Sequence, residues 1–306
     1  MSRTPVADLR RPPRRRVDGV LLLDKPVGIT SNAALGQVKR LYNADKAGHT
    51  GTLDPLASGL LPICFGEATK FAQFLLDASK RYIATIRFGV TTSTQDAEGD
   101  VVATRPVAFR TVDLAAALAR FVGAQSQVPP AHAALKYKGR PYYEYARAGV
   151  EIPRAAREIV VHSLNLIEWV ASDAIVDVLC SKGTYVRTLA ADLGEALGCG
   201  AHLAGLRRVS VGEFTIANAF APAQVQDEPP DRRARLLLPV DTLLAALPRI
   251  DIDGLHATHL LQGRAVPASG EHDELLRAYD PAGTLLGVVR RESSALVPVR
   301  MASSGQ

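Results

Sequence analysis

Cysteine is scarce in this chain of 306 residues, and the three present, Cys64, Cys180 and Cys199, are odd in number and far apart. That pattern excludes a disulfide framework and a cysteine zinc site, and it predicts buried thiols in a reducing cytoplasm. Long hydrophobic runs are missing too. Val20-Leu21-Leu22-Leu23 ends at Asp24 and Lys25, well short of the roughly 18 apolar residues a membrane span needs. The arginines near the start are followed by no apolar stretch, so no signal peptide is expected. An excess of one charge is absent from most of the chain. Residues 1–16 supply all of the net charge of +5, with six arginines against Asp8. The pI of 9.2 therefore describes a basic arm and not the body, and affinity for nucleic acid must come from local charge. The 47% hydrophobic content is enough for a sizeable core, and the length predicts one large and one small domain.

The most informative stretch is Gly48-His49-Thr50-Gly51-Thr52-Leu53-Asp54-Pro55-Leu56-Ala57-Ser58-Gly59. A single carboxylate, Asp54, stands among glycines and a proline. Pro55 fixes its own φ and keeps Asp54 extended or in a turn, and the glycines allow another molecule's backbone to come close. No second carboxylate pairs with Asp54, and no serine–histidine or cysteine nucleophile stands beside it. No Gly-Lys-Ser/Thr follows to make a phosphate-binding loop. An aspartate before proline is also an ordinary turn, so the segment alone leaves both readings open.

With its surroundings, the segment resembles the catalytic loop of the bacterial tRNA pseudouridine synthase B family. Gly19-Val20-Leu21-Leu22-Leu23-Asp24-Lys25-Pro26 is similar to the family's opening strand and Lys-Pro turn. Lys80-Arg81-Tyr82, the run from Cys180 to Thr188, and Gly198 to Leu203 with Leu206-Arg207-Arg208 are similar to further family blocks. The resemblance implies an α+β pseudouridine synthase fold, with a mixed, largely antiparallel sheet flanked by helices. A small C-terminal β-rich, PUA-like domain is expected after it. The implied reaction flips the uridine at position 55 of the tRNA T loop and exchanges its C–N glycosidic bond for a C–C bond. No cofactor and no metal are expected.

The same resemblance assigns roles. Asp54 is the catalytic carboxylate, acting as nucleophile or stabilising the sugar cation. Arg187 is its partner and is expected to hold its pKa low. Tyr82 and Tyr185 form a stacking surface for the extruded uracil, with phenols able to exchange a proton; Tyr82 is counted among the catalytic groups. His49 stands beside the flipped nucleotide, Leu206 at the uridine pocket, and Lys25 supports the loop and is grouped with the substrate-binding residues. Lys182 and Arg208 are candidate phosphate contacts. The implied partner is the tRNA T stem-loop, with no membrane and no obligatory protein partner. A cytoplasmic monomer is expected, and a tRNA-folding role can coexist.

Along the chain the expected units are a disordered basic arm, 1–16, a catalytic domain, 17–247, and a PUA-like RNA-binding domain, 248–302. A thumb-like insertion is expected over about 124–158. Within it, residues 136–157 combine six basic residues, Lys136 and Arg140 among them, with two acidic ones and four of the eight tyrosines. Charge interleaved with rings fits a strip that grips RNA; a solvated helix with aromatic anchors fits as well. Apolar patterning predicts strands at 17–24, 82–90, 158–170 and 174–180 and a closing hairpin at 284–300. It also predicts a helix capped by Ser31 or Asn32, helices at 111–123 and 188–197, a loop or boundary region over 222–236 and a short helix at 241–247. Two other functions compete. A non-catalytic RNA-binding module is disfavoured by the complete set Asp54, Tyr82, Tyr185 and Arg187. The catalytic subunit of a guide-RNA-dependent complex is disfavoured by the shortness of the terminal arm.

Overall fold

The computed structural model describes residues 13–270 and 273–303. The apolar run Gly19–Lys25 forms β1. Thr30, and not Ser31 or Asn32, caps helix α1 (Ser31–Leu41), its hydroxyl accepting the Ala33 N–H. Then come β2 (Ala47–His49), β3 (Ala57–Phe65), α2 (Ala68–Leu76), β4 (Lys80–Phe88) and the hairpin of β5 (Val90–Thr92) and β6 (Val101–Thr104). Helix α3 (Thr111–Arg120) and β7 (Gly123–Gln127) precede a small hairpin, β8 (Lys136–Tyr137) and β9 (Arg140–Pro141), and α4 (Tyr142–Arg147). The long pair β10 (Arg157–Val170) and β11 (Asp173–Cys180) leads to α5 (Val186–Ala196), β12 (Ala201–Val211), β13 (Phe214–Thr215) and α6 (Pro222–Asp227).

The main sheet runs β1-β3-β12-β4-β11-β10-β7, with β2 added to β3 and β13 to β12. Its pairings are antiparallel except that of β3 with β12, so the sheet is mixed and largely antiparallel. Strand alternation sends side chains to both faces. Leu21 and Leu23 of β1 share a core with Val38 of α1, Leu114 of α3 and Leu189 and Leu193 of α5. Val20 and Leu22 face the other way, against Phe71 and Leu75 of α2 and against Leu243 and Leu244. Each such fully buried aliphatic side chain stabilises the fold by about 1.5–3 kcal/mol.

Beyond these elements β14 (Arg249–Asp251), α7 (Gly254–Leu261), β15 (Val266–Pro267), β16 (Glu274–Tyr279), β17 (Leu285–Glu292) and β18 (Ala295–Met301) form a β-rich C-terminal part. Its five-stranded sheet has its own core around Leu260, Leu276 and Val289. Val288 points instead into the α2-side core, which fixes this part against the larger one.

Three further expectations are corrected. Residues 222–236 are not a loop: α6 lies there, and Arg233 is buried. Its guanidinium donates to Leu41 O, Val225 O and Gln226 O, satisfying carbonyls at the ends of α1 and α6 that their own helices leave free. The short apolar helix is a 3₁₀ turn, Val240–Leu244. Of the expected arm, residues 1–12 lie outside the described residues, while Arg15 forms a bridge to Ala44 and donates from Nε to Tyr42 O at 3.0 Å.

Candidate active site

Asp54 lies in the loop between β2 and β3, and the chain holds this loop at three points. The buried Ser31 hydroxyl serves both polar groups of Leu53, accepting its N–H at 2.8 Å and donating to its carbonyl at 2.9 Å. The Gly28 N–H donates to Pro55 O at 2.8 Å. Arg208 donates to Gly51 O at 3.2 Å and to Leu60 O at 2.7 Å. A loop staked in this way presents one carboxylate in one geometry, as catalysis by a single acid requires.

Arg208 is therefore no phosphate contact. It is 1% exposed and sits on β12, beneath the loop. The glycine nearest it also has a different purpose from the one expected. Gly59 has φ +105°, and a Cβ there would lie 2.3 Å from Arg208 O. What comes close at Gly59 is the chain's own β12, not a second molecule.

Arg187 stands in the first turn of α5, almost fully buried. Its Nη2 is 3.1 Å from Asp54 Oδ2, and its Nη1 is 3.2 Å from Asp96 Oδ2. Nη2 also donates to His132 O at 3.4 Å. Asp96 is the acid that sequence reasoning misses. It is 2% exposed, between β5 and β6, and its Oδ1 accepts from Thr94 Oγ1 at 2.5 Å and from the Glu98 N–H at 3.1 Å. The signal was slight: a polar run, Ser93 to Asp100, that looks like any turn between strands.

The electrostatics of Asp54 differ from expectation. Protein walls remove much of the water around its carboxyl and push its pKa above the usual value. Arg187 pulls it down, Asp96 pushes it up again, and Lys25 pulls it down. The side chain still keeps 40% of its surface open to the cleft. Lys25 itself is 0% exposed and donates to Pro26 O and Ile29 O. It holds the turn before α1 and acts on Asp54 through its charge, so the structure removes it from the residues that can touch substrate. Burial lowers its pKa to about 8.

Two cavities meet at Asp54 and Arg187. One, of about 340 Å³, is lined by Tyr82, Tyr185, Leu206, Lys80 and Arg208 besides that pair. Tyr82 rises from β4, its phenol pushed up by burial and drawn back by the neighbouring Arg208 guanidinium. Tyr185 precedes α5. The other, of about 720 Å³, is lined by His49, Asp96, Glu98, His132, Tyr143 and Arg147 as well. Burial, aided by Arg208, lowers the His49 pKa and keeps the ring neutral near pH 7. The structure thus brings Tyr82, Tyr185, Leu206 and His49 to Asp54.

Lys136 and Arg140 line neither cavity. They stand exposed on the β8–β9 hairpin, where Arg140 lies 3.3 Å from Glu144 and 5.1 Å from the Tyr145 ring centre. Arg147 lies 5.5 Å from the Tyr143 ring centre. Lys182 is also exposed, and pairs with Asp77 at 2.8 Å.

Comparison with known proteins finds relatives along most of the chain. Residues 39–186 match the N-terminal domain of the TruB family pseudouridylate synthases, residues 187–245 the C-terminal domain of tRNA pseudouridylate synthase B, and residues 247–302 the C-terminal region of tRNA pseudouridine synthase II. The chain is 54% identical to tRNA pseudouridine synthase B of Thiobacillus denitrificans, over 97% of this chain and 99% of that protein. It is 52% identical to the protein of the same name from Burkholderia mallei, over 99% of each chain. Among solved structures it resembles a Cbf5-Nop10-Gar1 complex, with a TM-score of 0.70 and 26% identity over 94% of this chain and 84% of that one. An H/ACA ribonucleoprotein bound to a substrate RNA shares the fold, with a TM-score of 0.72 and 22% identity over 94% of this chain and 85% of that one. The chain belongs to the TruB family of pseudouridylate synthases.

Proposed function

We propose that this chain is a tRNA pseudouridine synthase that isomerises the uridine at position 55 of the T loop, with Asp54 as its catalytic carboxylate. The observation that carries the assignment of Asp54 is its ion pair with Arg187 at the mouth of the cavity lined by Tyr82, Tyr185 and Leu206. The target base stacks inside the T loop and must be flipped to reach an acid in a cleft. Tyr82 and Tyr185 give the extruded ring an apolar, aromatic wall, and Leu206 closes another side. His49 and the cavity beyond it receive the flipped nucleotide's surroundings.

The chemistry then needs few groups. The N1–C1′ bond breaks, the uracil turns, and C5 joins C1′. C5 gives up a proton and N1 gains one, so reactant and product are isomers and the stoichiometry calls for no co-reactant. The Asp54 carboxylate takes part by attack or by stabilising the cationic sugar. Arg187 keeps it oriented and opposes its protonation.

The strip with Lys136, Arg140, Arg147 and Tyr143 supplies a surface for phosphates and bases beside the cleft. Residues 248–302 are read as a second, PUA-like RNA-binding domain. The protein acts as a monomer in the cytoplasm, and a tRNA-folding role can coexist with catalysis. Incubation with unmodified tRNA, followed by chemical mapping, tests the function. Pseudouridine at position 55 is expected; no product at any T-loop uridine contradicts it.

A further inference from the structure

We infer that Gln127 is a positioning residue whose side-chain amide sets Tyr185 and Arg187 against Asp54 and ties them to the root of the RNA-facing insertion. The inference rests on the proposed function and deepens it. Gln127 is the last residue of β7, opposite Arg157 on β10. It is 5% exposed. Its Nε2 donates to Tyr185 O at 3.1 Å, and its Oε1 accepts the Tyr185 N–H at 2.8 Å. One side chain thus imitates a neighbouring strand, matching a single residue's donor and acceptor. A primary amide of this length has both functions; a thioether has no donor and only a weak acceptor, and an ionised carboxylate lacks the donor.

The position of this clamp gives it consequence. Tyr185 is the residue before α5, and its carbonyl also accepts the Leu189 N–H at 3.0 Å. The Tyr185 ring lines the smaller cavity, and Arg187 follows two residues later. On the other side, the chain leaves the main sheet at Gln127 and returns to it at Arg157, so the insertion spans 128–156 and not 124–158, and Gln127 stands at its root. Five residues on, His132 O accepts from Arg187 Nη2 at 3.4 Å. Both ends of the segment 127–132 therefore touch the segment 185–187. The stacking ring, the catalytic pair and the insertion are set by one short double tether. A buried amide must find partners somewhere; this one takes both from the residue that opens α5, although its own strand β7 is paired with β10.

The test uses the full chain with unmodified tRNA. Gln127→Met keeps the volume and loses both bonds; Gln127→Glu keeps the shape and loses the donor toward Tyr185 O. Single-turnover rate at saturating enzyme, tRNA Kd and melting temperature are measured for the parent and both variants. Folded variants are expected to bind tRNA within about twofold of the parent, while the rate falls about ten- to a hundredfold, the scale of a misplacement on the order of 1 Å. The Tyr185 amide should also exchange its hydrogen faster. If Gln127→Met does not fold, Gln127→Glu carries the comparison. A folded variant with an unchanged single-turnover rate, or one whose loss lies wholly in Kd, overturns the inference. A parent chain that makes no pseudouridine overturns the underlying function first, and is told apart by that result.

Discussion

Arg187 meets Asp96 at 3.2 Å on one nitrogen and Asp54 at 3.1 Å on the other. One guanidinium therefore holds two carboxylates, and only Asp54 is open to the cleft. Asp96, buried and fixed by Thr94, orients the arginine. Its charge also works against ionisation of Asp54. The two effects predict different consequences for replacing either partner.

Asp96→Asn should lower the single-turnover rate about ten- to a hundredfold, because Arg187 loses its charged anchor and its aim. The acid limb of the pH–rate profile should move to lower pH. The sign follows from the charge: Asp96 raises the Asp54 pKa, so its removal lets Asp54 stay ionised in more acid solution. A limb that moves to higher pH contradicts this coupling.

Arg187→Met should move the limb the other way. Arg187 lowers the Asp54 pKa, so without it the carboxyl protonates at higher pH. Two acids also lose their counter-charge, one of them fully buried. Breaking a buried pair by removing one partner costs about 3–5 kcal/mol, which denaturant unfolding at neutral pH measures. An unchanged profile with full stability rules out the pair.

Ser31→Ala and Thr30→Ala separate the loop from the helix. Ser31 satisfies the Leu53 N–H and carbonyl, and leaving them unpaired costs about 1–3 kcal/mol and loosens Asp54. Thr30 caps α1, and its loss costs about 1 kcal/mol. Activity per bound tRNA should fall for Ser31→Ala and stay near normal for Thr30→Ala. Equal effects of the two on single-turnover rate would show that the brace has no bearing on the reaction.

Replacing Lys136, Lys138, Arg140 and Arg147 with alanine should weaken tRNA binding and flatten its salt dependence. Each phosphate that the protein no longer neutralises reduces the log–log slope by about 0.7–0.9. A salt titration reads this directly. Deleting residues 1–16 should cost less affinity than the four alanines; a larger loss removes the strip as the main RNA grip.

Legibility in the sequence followed the range of the signal. β1, the β10–β11 pair and the closing strands β17 and β18 lie close to where apolar patterning puts them, because burial acts along each segment by itself. The α1 start was missed by one residue because Thr30, Ser31 and Asn32 are all competent caps, and only the fold shows that Ser31 is engaged with Leu53. The long-range bonds of Asp96, Ser31 and Gln127 escaped notice for one reason. Their partners, Arg187, Leu53 and Tyr185, are far away in sequence, and each residue type is at home in a turn or strand with no such role. Arg208 erred in the opposite sense. A cation in an RNA-binding enzyme invites assignment to phosphate, yet this one is buried among backbone carbonyls. Lys25, expected to support the loop and grouped with the substrate-binding residues, is likewise buried against Pro26 O and Ile29 O.

The most direct measurement is the single-turnover rate of Asp54→Asn on unmodified tRNA, with binding measured in parallel. The asparagine cannot supply a carboxylate, while the cavity, Tyr82, Tyr185 and the basic strip are untouched. tRNA binding should survive and no pseudouridine should form. A rate within about tenfold of the parent, a barrier change of roughly 1.4 kcal/mol, would mean that Asp54 is not the catalytic acid.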